Sequence, residues 1–157
     1  MTTVWRILRR AYAASAFDGE GAYRYGGRWS SPGTRVVYTS EHLSLAMLEY
    51  FVHIDRAHPP RDLVVVRAAI PDSVSRRVIS LPELPADWRT TPAQAKLALL
   101  GDEFIAGQEQ CVMVVPSAVA PRESNWLINP AHPEFARIEL LEVETLDYDA
   151  RLVKPNR

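Results

Sequence analysis

The sequence predicts a single domain of the α+β class, and three observations carry that expectation. Apolar runs of strand length outnumber helical stretches, the two do not alternate as a doubly wound sheet requires, and 157 residues at 47% hydrophobic and 24% charged suit one ordinary core. At this length roughly 70% of the unfolded chain's surface can be buried, so neither disulfides nor a structural metal are needed. The lone Cys111 agrees. Without an internal partner it excludes a disulfide-stapled secreted scaffold and points to a reducing compartment.

Taken in chain order, runs rich in Val and Ile predict strands at Val4 to Leu8, Val36 to Thr39, Leu63 to Ile70, Arg77 to Leu81, Cys111 to Val115 and Ile138 to Val143. Each is bounded by Pro, Gly, Ser or Asp. A first helix is expected behind Ser40 as N-cap, with Glu41 in its first turn, running through HLSLAMLEYFVHI to the turn residues Asp55 to Pro60. A second opens at Thr91-Pro92-Ala93-Gln94, where Thr91 is the N-cap, Pro92 sits at N1 and Gln94 completes a capping box, and it runs to about Gly107. The stretch from Ala16 to Gly33 holds five glycines without a period and predicts a long loop of the kind that carries function. Its aromatics Tyr23, Tyr25 and Trp29 argue against disorder.

Charge narrows the function. With 18 basic against 19 acidic residues no field of one sign recruits nucleic acid or an anionic membrane. Six arginines precede Val37 against Asp18 and Glu20, which makes a local anion site plausible near the N-terminus. Arg6, Arg9 and Arg10 interrupt the only apolar stretch there, so it is neither a signal peptide nor a membrane span. The chain reads as soluble and cytoplasmic.

Three clusters hold chemistry-bearing residues. Glu49 lies in the apolar helix LSLAMLEYFV; read from the residues alone, it sits on a narrow wet stripe with His42 and His53. Arg28 lies in YGGRWSSPG, where Gly26 and Gly27 permit close backbone approach and Ser30 and Ser31 add donors suited to an anion. In VVPSAVAPRESNWLINP a strand ends at Ser117 and runs into a turn-rich segment with Asn125 and Asn129. Ser117 lacks the G-x-S-x-G elbow of a serine hydrolase, the glycines lack a dinucleotide fingerprint, and no His, Cys or Asp spacing matches a metal site.

Together GGRWSSPGTRVVYTS, LEYFVHID and VVPSAVAPRESNWLINP resemble the three signature blocks of the RES family, named for its Arg, Glu and Ser. These correspond to Arg28, Glu49 and Ser117. The blocks cover roughly a third of the chain, and the resemblance extends to the opening VWRI and more weakly to residues 1–157 as one RES domain. It implies central β-sheets with flanking helices similar to ADP-ribosyltransferases, and NAD+ as substrate without a metal or further cofactor. It also implies a toxin held in check by an Xre-like helix-turn-helix antitoxin blocking the active site, with no direct nucleic-acid or membrane partner; a homodimer is compatible with it.

Carried over residue by residue, the resemblance places Arg28, Tyr38, Glu49 and Ser117 among catalytic and NAD+-binding groups, with Asn125 in the third block. Arg28 would grip the pyrophosphate, Tyr38 with Tyr25 or Trp29 would pack on nicotinamide, and Glu49 would stabilise an oxocarbenium. Ser117 would bind the ligand or orient Glu49, and Trp126 would shape the pocket floor. Glu49 precedes Ser117, unlike the arginine-serine-glutamate transferases, so roles are not copied from those. The expected activity is cleavage of the nicotinamide–ribose bond by a glycohydrolase or phosphorylase. The rivals are a mono-ADP-ribosyltransferase and a non-enzymatic anion-binding module.

Overall fold

A computed structural model describes residues 1–154. In chain order it contains β1 (Thr2–Arg9), α1 (Glu20–Tyr25), β2 (Val37–Ser40), α2 (Leu43–Phe51), β3 (Leu63–Ile70), β4 (Arg76–Val78), α3 (Ala95–Gly107), β5 (Val112–Pro116), β6 (Ser124–Ile128), β7 (Glu139–Leu140) and β8 (Glu144–Thr145). The strands form one mixed sheet in the order β4-β5-β6-β2-β1-β3-β7, with β8 also on β3. Among the described strands only β4 and β5 run parallel. No described helix is long and apolar enough to cross a membrane.

Alternation along the strands divides the core. One face carries Val4, Leu8, Val64, Val66, Val112, Val114, Trp126 and Ile128 beneath Phe17 and Ile138. On the other face, Ile7, Leu63 and Val65 pack against Ala46 and Phe51 of α2. Farther along that face, Met113, Val115 and Leu127 meet Leu97 and Phe104 of α3 together with Trp29 and Trp88. β3, as LVVVRAAI, is buried on both faces apart from Arg67, which is why its bounds coincide with the expected run.

The order of β1, β2 and β3 positions the site. β1 pairs with β3 along eight residues, from Thr2↔Ile70 to Arg9↔Leu63, but touches β2 at the single pair Trp5↔Ser40. Past that pair β1 and β2 separate and leave a seam in the sheet.

Several expected elements are corrected. The run at 138–143 is a bulged edge: Ala68 faces Leu140 while Val65 faces Glu144, so one extra residue breaks it into β7 and β8. The segment after Ser117 that the sequence predicts as turn-rich contains β6, a central strand between β5 and β2. The 16–33 loop contains α1. Ser40 and Glu41 do not cap α2, because the Ser40 hydroxyl donates to Asn125 and Glu41 accepts from the Ser124 amide. α3 begins at Ala95, since the Gln94 side chain turns back to Thr90 and builds no capping box.

α3 is seated by a close approach. A Cβ on Gly101 would fall inside the van der Waals shell of the Trp29 carbonyl oxygen, and Asp102 accepts a hydrogen bond from the Ser31 amide at 2.9 Å. Gly101→Ala is expected to cost about 1–3 kcal/mol by forcing helix and loop apart, read as a lower denaturation midpoint.

Candidate active site

Glu49 points inward from α2 to meet β5 and β6. Its Oε1 accepts two hydrogen bonds, from Ser117 Oγ at 2.7 Å and from Asn125 Nδ2 at 2.6 Å. The wet-stripe expectation is thereby corrected: His42 and His53 are exposed, and Glu49 has turned away from them to buried donors. Among the described residues no donor reaches Oε2.

The donors are themselves fixed. Ser117 is fully buried one residue past β5, and its oxygen accepts from the amides of Val119 and Ala120 at 3.1 and 3.0 Å. With both lone pairs engaged, its hydroxyl hydrogen must point at Glu49. Asn125 is held from behind by Ser40, whose hydroxyl donates to Oδ1 at 2.7 Å.

A cleft of about 190 Å³ opens beside Glu49 at the seam, lined by Trp5, Arg6, Tyr38, Ser40, Tyr50 and Asn125 among others. Arg6 is the residue that sequence reasoning missed. Its Nη1 donates to the Tyr38 carbonyl at 3.0 Å, where the separated strands leave that oxygen without a β1 partner, and its buried Nε has no partner among the described residues. Burial lowers its pKa from the usual guanidinium value, with Asp18 opposing. Arg6 also borders a second cavity of about 390 Å³ with Tyr12, Asp18, Arg24 and Tyr25, so it stands where the two spaces meet. The VWRI opening was the available signal, but an arginine in a strand reads as solvent-facing.

The other expected residues are placed as follows. Tyr38 walls the cleft while its hydroxyl reaches the 27–30 turn, accepting from the Trp29 amide at 3.2 Å and sharing a 2.8 Å bond with Ser30 Oγ. A Cβ on Gly27 would lie 2.6 Å from that hydroxyl, so this glycine makes room for Tyr38. Arg28 leaves the cleft, its Nη1 donating to the carbonyls of Trp88 and Thr90 at 2.9 Å each. Trp29 is 2% exposed and packs on Trp88 in the core, so it presents no face to a ligand; Tyr25 is 81% exposed and lies outside the cleft. Trp126 is buried on the opposite face under Arg76 and does not form the pocket floor. Trp5 and Tyr50 join Tyr38 as the aromatic walls. For metals, the described residues bring only Glu41, His42 and Glu123 together, and Glu41 is already engaged by the Ser124 amide.

A split α+β sheet with a hydrogen-bonded glutamate at its seam and an arginine bordering the same cleft defines a small domain built around one polar, aromatic-walled site. The chain belongs to the RES domain family, whose sequence profile matches residues 3–150. It is similar to a protein named Prs ADP-ribosylating toxin from Sphingobium sp. (strain YBL2), 35% identical over 157 residues, covering 98% of each chain. It also resembles Toxin Res of Yersinia enterocolitica, 36% identical over 132 residues, 84% of this chain and 86% of that one. A crystal structure of the M. tuberculosis MbcT–MbcA toxin–antitoxin complex shares the fold, with a TM-score of 0.76 at 17% identity over 92% of this chain and 84% of the other.

Burial pushes the Tyr38 hydroxyl up to about 12, although its bonds to Ser30 and Trp29 oppose this. Unfolded, the phenol ionises near 10, so in between the unfolded chain releases a proton that the folded chain keeps. Stability is intact below pH 10 and falls as the pH rises through 12. About 2–3 kcal/mol should be lost over that window in wild type beyond any loss in Tyr38→Phe, measured by denaturant melts.

Proposed function

We propose that the chain is an NAD+-consuming toxin that cleaves the bond between nicotinamide and ribose. The observation that carries this reading is the Glu49 carboxylate, fixed by two neutral donors on Oε1 with Oε2 left over at an aromatic-walled cleft. Breaking this bond passes through an oxocarbenium-like state, as in glycoside hydrolysis. Nicotinamide leaves from a cation, so no general acid and no metal are called for. The protein must orient the dinucleotide and place negative charge beside the anomeric carbon.

In this reading Glu49 stabilises the oxocarbenium, and Ser117 and Asn125 hold Glu49. Trp5, Tyr38 and Tyr50 pack on the nicotinamide ribose, and Arg6 takes the pyrophosphate. Arg28 acts through the 88–90 segment and the 27–30 turn that holds the Tyr38 hydroxyl. An Xre-like antitoxin covers the cleft when the toxin is silent, and a basic group reaching Glu49 would cancel its charge. The acceptor of ADP-ribose is water or phosphate, which depletes NAD+. A second reading, transfer to a protein side chain, is favoured by the name of the 35% identical Sphingobium relative.

Glu49→Gln should lower NAD+ turnover by about 10²-fold or more while leaving the melt unchanged, and should relieve growth arrest on expression without a partner. Turnover at the wild-type rate would overturn the assignment. Products analysed by mass with and without phosphate decide the acceptor, and label from NAD+ retained on a protein band would favour the second reading. Arg6→Lys, which loses the planar fork, should raise the Michaelis constant for NAD+ roughly tenfold, and more than Arg28→Lys does.

A further inference from the structure

Ser40 ends β2 and is 4% exposed, with its backbone paired to Trp5 on one side and Asn125 on the other. Its hydroxyl is not needed by α2, where His42 takes the N-cap position. It lies instead 2.7 Å from Asn125 Oδ1, while Asn125 Nδ2 lies 2.6 Å from Glu49 Oε1. These two contacts determine each other's direction. A carboxylate only accepts, so the nitrogen end of the amide must face Glu49; the amide oxygen then faces Ser40, which must donate. Without that hydroxyl the buried Oδ1 has no donor among the described side chains, and the amide, held only at its nitrogen end, is free to shift against the carboxylate. The neighbouring Thr39 makes a useful contrast, since its hydroxyl donates to the Trp126 carbonyl and does not touch the site.

We infer that Ser40 is a positioning residue of the Glu49 site. Its hydroxyl anchors the oxygen end of the Asn125 amide, whose direction the carboxylate dictates, and the anchored amide in turn fixes the position of the carboxylate. The kinetic part of this inference rests on the NAD+ reaction proposed above.

The test compares wild type with Ser40→Ala, Ser40→Thr, Asn125→Ala and the Ser40→Ala/Asn125→Ala pair, each checked by thermal melting. Ser40→Ala should lower kcat for NAD+ consumption roughly tenfold, the scale of one hydrogen bond to a charged network, with KM changed less than about twofold. Ser40→Thr, which keeps the hydroxyl, should recover most of the rate. In the Asn125→Ala background the Ser40 change should add less than about twofold, because the link it acts through is gone. An unchanged kcat in Ser40→Ala, or a full further loss in the paired variant, would overturn the inference.

A second readout is independent of turnover. Followed by NMR, the side-chain amide protons of Asn125 should exchange with solvent about tenfold faster in Ser40→Ala than in wild type. Unchanged exchange would overturn the link. A wild-type protein inert toward NAD+ would count against the proposed reaction, and the exchange measurement would still decide the role of Ser40.

Discussion

The separation of β1 from β2 after one residue pair is the constraint on which the rest of the site depends. Had the ladder continued, the Tyr38 carbonyl would have bonded to a β1 amide and no space would remain between the strands. Because it stops at Trp5↔Ser40, the carbonyl needs another donor, and Arg6 supplies one. A guanidinium is thereby held in the sheet at the edge of a cleft, which a strand position facing solvent would not achieve. β1 tolerates the loss on this side because its eight-residue pairing with β3 anchors it on the other.

Within the cleft the hydrogen bonds have little freedom of direction. Two backbone amides occupy the lone pairs of Ser117, and the carboxylate itself forces the Asn125 amide to present nitrogen. Both contacts to Glu49 are thus made by neutral donors already aimed before any ligand arrives. A cation in the same place would bind the carboxylate more strongly but would neutralise it. Neutral donors hold its geometry and leave its charge available, which is what stabilising a developing cation requires.

How much of this could be read from the sequence depends on range. The strand at Leu63–Ile70 was legible because it is central and apolar on both faces. Glu49, Ser117 and Tyr38 were legible through the three blocks, though not from periodicity, which put Glu49 on a wet stripe. The sequence offers Ser40 as a helix cap because capping preference is local, whereas Asn125 lies 85 residues away. The turn glycines looked like a cradle for an anion, but Gly27 makes room for the Tyr38 hydroxyl. β6 was hidden because its polar first half, Ser124 and Asn125, breaks the apolar run that marks a strand, Asn125 being the one that serves the site.

The two charges of the cleft reach it from opposite sides of the sheet. Glu49 is carried by α2 on the face of Ile7 and Val65, whereas Arg6 shares its strand face with Val4 and Leu8, on the side of α1. A ligand that engages both must therefore lie across the seam and not along one face. Such a ligand would connect β1 to β2 where the backbone does not. In the proposed reading, the gap in the ladder is the feature by which a small α+β domain would admit a dinucleotide without giving up a separate pocket.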